Sequence, residues 1–183
     1  FYVGSFTEWH MLDVAVDALK EIQKKEKNVV FLFAGQGKMF EKLKTKVTKE
    51  NLQEHIILPG KVPFDELPNF IARADICLCL FDRNYAPFKR FDYFYSPMKI
   101  HEYKACRKPI VASNIGNLKK LVVNKKGGYL VNESDPKDIA KAIITLIKSP
   151  KKRKEMGEFN FKHVSQNYTW DILNSEILEI LRN

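Results

Sequence analysis

The 183 residues carry a formal net charge of +9 with 45% apolar and 29% charged side chains, a balance that excludes intrinsic disorder. No apolar run approaches the roughly 20 residues needed to cross a bilayer, and the length suits one domain, 1–183, that buries a core without metals or crosslinks. Three cysteines, an odd number, argue against a disulfide framework, and with Cys77 and Cys79 on one face of an expected strand they read as reduced core thiols of a cytoplasmic protein with no metal site.

Phe1-Tyr-Val-Gly4 reads as the end of a strand, and Leu12, Ala15, Val16, Leu19 and Ile22 then recur at helical spacing. His10, in the loop between them, can donate a hydrogen bond when neutral and carry charge when protonated near pH ~6.5. Val29–Ala34 is a continuous apolar run of the kind found in a central parallel strand. The turn after it, Gly35-Gln-Gly37-Lys38, would let backbone approach a ligand closely, a signal shared with ordinary tight turns. A helix is expected from about Met39 to Glu50, a strand over Ile56–Gly60, a helix from Asp65 to near Ala74 and a buried strand over Asp75–Phe81. Asp82–Tyr95 has no periodicity and is expected to be a loop, with Tyr85, Phe88, Phe91, Tyr93, Phe94 and Tyr95 interleaved with Arg83, Lys89 and Arg90.

In Tyr95–Asn114, Y-S-P-M-K-I-H-E-Y-K-A-C-R-K-P-I-V-A-S-N, Ser96 and Pro97 predict an N-cap and first helical residue. The free amides of that first turn, its dipole and the charge of Lys99 predict an anion there, such as a phosphate. Glu102, three residues on and on the same face, can accept hydrogen bonds from two neighbouring hydroxyls, as in a ribose. Pro109–Ser113 reads as a buried strand and Asn114–Gly116 as the turn after it. A short helix over Leu118–Val123 and a strand over Gly127–Val131 follow, then helices opened by Asp135-Pro136 and Pro150, and a last amphipathic helix over 170–183 striped by Ile172, Leu173, Ile177, Leu178 and Leu181.

The Tyr95–Ser113 segment resembles the S-P-L-K-L-x-E-Y-M-A-x-G-K-P-I-V-A-S stretch of the retaining, GT-B-type glycosyltransferases of the group 1 family, and Lys61-Val62-Pro63 and Tyr168-Thr169-Trp170 resemble two further motifs of that family. The resemblance implies that Glu102 binds the ribose of a nucleotide-diphosphate sugar, that the backbone of Pro97, Met98 and Lys99 faces the diphosphate, that Gly35–Lys38 lies beside the nucleotide and that main chain near Val62 meets the base. It also implies that the loop Ser5–His10 serves the leaving diphosphate, with Ser5 and His10 nearest the positions where the family carries an arginine and a lysine. Many members have a glutamate against the donor sugar eight positions before Glu102, where this chain has Phe94.

Alternating strands and helices demand an α/β, Rossmann-like parallel sheet with helices on both faces. In such sheets ligands sit beyond the carboxyl ends of the strands, where Ser5–His10, Gly35–Lys38, Val62 and Ser96–Glu102 all fall. A dehydrogenase is excluded, since no G-x-G-x-x-G follows the first strand. The expected function is donor binding for glycosyl transfer with retention, without metal or other cofactor, leaving-group charge being met by Lys99 and His10. The resemblance further implies the C-terminal half of a GT-B fold, an acceptor glycan or lipid-linked acceptor held by an N-terminal domain that this chain lacks, and the 170–183 helix packed on that domain. A non-catalytic nucleotide-binding module and a sugar-nucleotide epimerase or hydrolase, with His10 and His101 as its titratable groups, are the alternatives. The lysines are scattered along helix faces, which argues against nucleic acid and leaves an anionic membrane surface, at the inner membrane face, as a further partner.

Overall fold

The computed structural model describes residues 1–182. Strands β1 (Tyr2–Val3), β2 (Phe31–Ala34), β3 (Ile56–Gly60), β4 (Cys77–Cys79), β5 (Ile110–Ser113) and β6 (Gly128–Val131) are connected by helices α1 (Leu12–Gln23), α2 (Phe40–Lys49), α3 (Leu67–Arg73), α4 (Ala86–Phe91), α5 (Met98–Ala105) and α6 (Leu118–Leu121), and α7 (Pro136–Ile147), α8 (Pro150–Asn167) and α9 (Trp170–Arg182) follow. The strands pair in parallel as two three-stranded sheets, β1-β2-β3 and β4-β5-β6. Phe1 joins their inner edges: its amine donates to the Ile76 carbonyl at 2.8 Å and its carbonyl accepts from the Leu78 amide at 2.8 Å. The strand order across the joined surface is therefore 3-2-1-4-5-6, the doubly wound order that leaves a crevice at the carboxyl edge where the winding reverses.

Side-chain alternation along the strands explains the two layers of helices. Leu78, Leu80, Val111 and Val131 share one core with Phe31, Phe33 and the apolar stripes of α1, α2 and α7. Cys77, Cys79, Phe81, Ile110 and Ala112 point the other way, into a second core with Ile71 of α3, Ile100 and Tyr103 of α5 and Leu118 of α6. The Cys77 and Cys79 thiols are free and buried, and desolvation pushes both up to about 12.

Helix starts follow local chemistry at α7 and α8, where Asp135 accepts from the Lys137 amide and Ser149 from the Lys152 amide, each followed by proline. Two expectations are corrected. Asp82–Tyr95 is not loop throughout: α4 occupies Ala86–Phe91, opened by Pro87 in its first turn and held by Phe88, which packs against Tyr93 at 4.8 Å and Tyr85 at 5.1 Å. Tertiary burial of one ring stabilises a helix too short to show a period. The second correction is at α5, whose N-cap is Pro97 with extended backbone and not Ser96; the Ser96 hydroxyl lies 3.0 Å from His101 Nε2. The last helix runs over Trp170–Arg182, and the expected end of that helix at Asn183 lies outside the described residues.

Candidate functional site

Backbone interlocking brings the first three carboxyl-edge loops together. The Gly4 amide donates to the Ala34 carbonyl, Phe6 to Gln36, Met39 to Phe6 and Gly35 to Gly60, all between 2.7 and 3.0 Å. Gly35 and Gly37 have φ of 145° and 153°, and a Cβ on them would lie 1.9 Å from the Gly4 carbonyl oxygen and 2.4 Å from the Phe6 carbonyl oxygen. The glycines of this turn are therefore required for packing of loop on loop as well as for their φ. Ser5 is exposed, with its carbonyl held by the Tyr2 hydroxyl at 2.7 Å; Lys38 is exposed and Val62 half-buried.

On the other side of the crevice, α5 is fixed by Ile100 and Tyr103, both fully buried, with the Tyr103 hydroxyl accepting from the Val3 amide at 3.1 Å. This anchoring delivers Lys99 beneath the first loop. Its ammonium lies 4.1 Å from the Tyr2 ring centroid and 5.7 Å from that of Phe81, and a Cβ on Gly4 would come within 2.6 Å of Nζ. The ammonium is buried and has no hydrogen-bond partner among the described residues. Ring faces attract a cation but leave its three donors unsatisfied, so an anion at this point would complete the shell. Burial pulls Lys99 down to about 8, against which Cys79 and Glu102 act. Burial likewise raises Glu102, which is half-buried, while Lys99 opposes the rise. Pro97 is half-buried and Met98 exposed at the first turn of the same helix.

His10 lies deeper than its place in a loop suggests. It is buried against Tyr2, Trp9 and Phe81, and its Nδ1 lies 2.5 Å from the Thr7 hydroxyl. Desolvation first, and then the charge of Lys99, lower its pKa to about 3. In the free protein burial among these apolar rings therefore favours the neutral imidazole, which can donate or accept a hydrogen bond but carries no charge. The pH dependence it confers is one of stability. Above about 6.5 the imidazole is neutral in both states, and as pH falls from there toward 3 the unfolded chain takes up a proton that the folded chain refuses, so stability is lost. His101 and His163 are lowered by burial as well. The melting temperature of wild type is expected to fall on acidification through this window and that of His10→Gln to fall less. Equal slopes in the two proteins, read by thermal denaturation, would remove His10 from the account.

Sequence reasoning passed over the clamp at the far side of the crevice. Glu133, fully buried after β6, receives Nε of Arg83 at 2.5 Å, Nη2 at 2.9 Å and the Arg83 amide at 3.3 Å. With the Asp82 amide donating to the Trp9 carbonyl and Tyr85 packed 4.6 Å from Trp9, it ties the β4–α5 segment to the first loop. An acidic residue two positions past the expected strand end at Val131 and two before Asp135-Pro136 was the available signal. The role of Tyr2 under Lys99 left no local signal. Phe94, where the family resemblance leads one to look for a glutamate, is exposed and packs at 4.5 Å against Tyr95. A cavity of about 990 Å³ lies instead at the amino ends of the strands, lined by Val29, Val30, Asn69, Arg73 and Arg153; it contains none of these residues.

The profile of the family "Glycosyl transferases group 1" matches residues 1–163. An uncharacterized glycosyltransferase of Methanocaldococcus jannaschii, MJ1178, is 31% identical over 170 residues, which are 93% of this chain but 44% of that protein. The chain thus spans less than half the length of that relative. Anabaena HepE, solved in complex with UDP, superposes with a TM-score of 0.83 at 21% identity over 100% of this chain and 48% of its own. The C-terminal domain of a group 1 family protein, LpcC of Francisella tularensis, superposes with a TM-score of 0.74 at 19% identity over 93% of this chain and 87% of that domain. These two likenesses are of fold. From the match over residues 1–163, the chain belongs to the glycosyl transferases group 1 family.

Proposed function

We propose that this chain is the donor-binding half of a retaining GT-B glycosyltransferase, taking a nucleotide-diphosphate sugar at the carboxyl edge of the joined sheets. The observation that carries the reading is the buried Lys99 ammonium without a hydrogen-bond partner, one helical turn before Glu102 and beside the glycine-bound loops. A diphosphate would satisfy that ammonium together with the first amides of α5, and the same contacts would stabilise the charge that grows on the departing nucleoside diphosphate as the glycosidic bond to it breaks. Since these groups supply the positive charge, the reading gives the leaving-group role to them and to no metal. Ser5, Gly35, Gly37, Lys38, Val62, Ser96, Pro97 and Met98 would line the nucleotide, with Glu102 on the ribose. HepE was solved with UDP, which supports a nucleotide ligand here. The acceptor, a glycan or a lipid-linked sugar, would be held by a second domain, and the Trp170, Ile177, Leu178, Ile180 and Leu181 side chains of α9, all more than half exposed, would pack on it. A lipid-linked acceptor would bring the protein to an anionic, cytoplasmic membrane face.

Thermal shifts with UDP, GDP, ADP and CMP test the reading, because a ligand bound to the native state raises its apparent stability by mass action. One nucleoside diphosphate is expected to raise the melting temperature and its nucleoside to do so far less. No shift with any of them overturns it. With the responding nucleotide in hand, Glu102→Ala is expected to cost about 1.5–3 kcal/mol of affinity, the range for charged hydrogen bonds. Calorimetry should also find that removing the 2′- and 3′-hydroxyls weakens wild type and barely changes the variant; additive losses would exclude the ribose contact.

A further inference from the structure

His101, one residue before Glu102 on α5, has no part in the reading above. Its Nε2 lies 3.0 Å from the Ser96 hydroxyl, while its other ring nitrogen, Nδ1, is buried and has no hydrogen-bond partner among the described residues. Neighbours from α8 hold the ring in place. It packs 4.7 Å from Tyr168, at the end of α8, and Tyr168 packs 5.6 Å from His163. Lys104, 1% exposed, completes the group, its ammonium 3.0 Å from His163 Nδ1 and 5.4 Å from the Tyr168 ring centroid. Helix α8 is in turn fastened behind α5, by Arg107 to Glu158 at 3.2 Å and by Asn160 Nδ2 donating to the Lys108 carbonyl at 2.7 Å.

Burial first, and then the charges of Lys104 and His163, lower the pKa of His101, so the ring is neutral at pH 7. A neutral imidazole carries one proton, and its surroundings decide on which nitrogen. On Nδ1 the proton would make a buried N–H with nothing to accept it, close to the Lys104 cation that repels the positive end of that bond. On Nε2 it meets the Ser96 oxygen. A hydroxyl has one proton and two lone pairs, so a serine that accepts from His101 still has its own proton to give. Ser96 is exposed, and it stands one residue before Pro97, the cap of α5, beside the first amides of that helix and in the turn that carries the buried, unpartnered Lys99 ammonium.

We infer that His101 is a positioning residue for the donor: its Nε2–H donates to the Ser96 oxygen and thereby leaves the Ser96 proton to be given to a phosphate oxygen at the amino end of α5. The serine would otherwise be free to spend that proton on the imidazole and present only lone pairs, which repel an anion. Fixing the direction of the hydroxyl before the ligand arrives also removes an ordering cost from binding. Tyr168, Lys104 and His163 act one step further back, by holding the ring and setting which nitrogen carries the proton. The inference deepens the nucleotide reading of this turn and rests on it.

The test has two arms. Long-range proton–nitrogen correlation spectra of the ligand-free chain report the tautomer of each imidazole, with His101→Gln assigning the His101 signal; a proton on Nε2 is expected, and a proton on Nδ1 overturns the inference. Calorimetry with the nucleoside diphosphate that shifts the melting temperature, and with its nucleoside, supplies the second arm. Ser96→Ala should weaken the diphosphate about tenfold, the loss of one hydrogen bond to a charged group, and leave the nucleoside nearly unchanged. His101→Leu should weaken it about threefold or more, yet add nothing in the Ser96→Ala background, since the histidine acts through the serine. His101→Gln, whose side-chain amide can donate to the same oxygen, should bind as wild type does; a merely structural role would not be rescued in this way. A Ser96→Ala variant that binds the diphosphate at full strength, additive losses in the double variant, or a glutamine variant as weak as the leucine one would each overturn the inference while the nucleotide reading stands. Wild type that binds no nucleoside diphosphate overturns that reading, and the inference with it. Should His101→Leu fail to fold, the tautomer, Ser96→Ala and His101→Gln still decide.

Discussion

Lys99→Met is expected to weaken a nucleoside diphosphate by about 1.5–3 kcal/mol, roughly ten- to hundredfold, while the nucleoside loses little, because the missing interaction is with the anion alone. Methionine fills the same slot between Tyr2 and Phe81, so no cavity complicates the result. Folding stability should hold or rise: wild type buries an ammonium whose donors are unsatisfied in the absence of ligand, and the variant relieves that cost. Loss of ligand affinity without loss of stability is the signature of a side chain kept for binding. The pH profile supplies a second check. Lys99 titrates at about 8 in the free protein, and a bound diphosphate raises that value. Below 8 the ammonium is already charged; above it, binding must draw a proton from solution, so affinity should fall as pH rises until the bound-state pKa is passed. Calorimetry in buffers of different ionisation enthalpy would detect that uptake in wild type and none in Lys99→Met. Equal affinity of the two proteins for the diphosphate across this range would exclude Lys99 from the site.

Gly35→Ala is expected to cost about 3 kcal/mol or more, adding strain at a positive φ to an intrusion on rigid backbone. The φ is 145° and the new methyl would lie 1.9 Å from the carbonyl oxygen of Gly4, a residue held in place by its amide's bond to the Ala34 carbonyl. Gly60→Ala is the internal control: its φ of 78° is also left-handed, but the nearest atom to a Cβ there is Gln36 Nε2 at 3.7 Å. That substitution should cost only the backbone part, about 1–2 kcal/mol. Urea denaturation of the two variants separates the terms. If both lose the same stability, the close approach of the first loop to the glycine turn is not what Gly35 is there for.

Local chemistry determined a good deal of this protein. Apolar runs bounded by glycine and proline read as the strands they are, the stripe of Leu12, Ala15, Val16, Leu19 and Ile22 faces the core from α1, and Asp135-Pro136 starts a helix where its hydrogen bonding says it should. The motif from Ser96 to Ser113 was legible because helix start, charge and following strand lie within 18 consecutive positions, and the family match agrees with it. What the sequence could not decide is ionisation. Whether His10 carries charge depends on Tyr2, Phe81 and Lys99, and whether Lys99 is solvated depends on Tyr2, Gly4 and Phe81. These groups come from β1, the end of β4 and α5, far apart in the chain, and desolvation is a sum over all of them that no local window contains. The same reason hid α4, whose six residues are too few to show a period and which stands because Phe88 finds Tyr85, Phe81 and Tyr93 already in place. Spacing along the chain sets which groups can share a helix face, and only the packing of one element on another sets the dielectric in which they act.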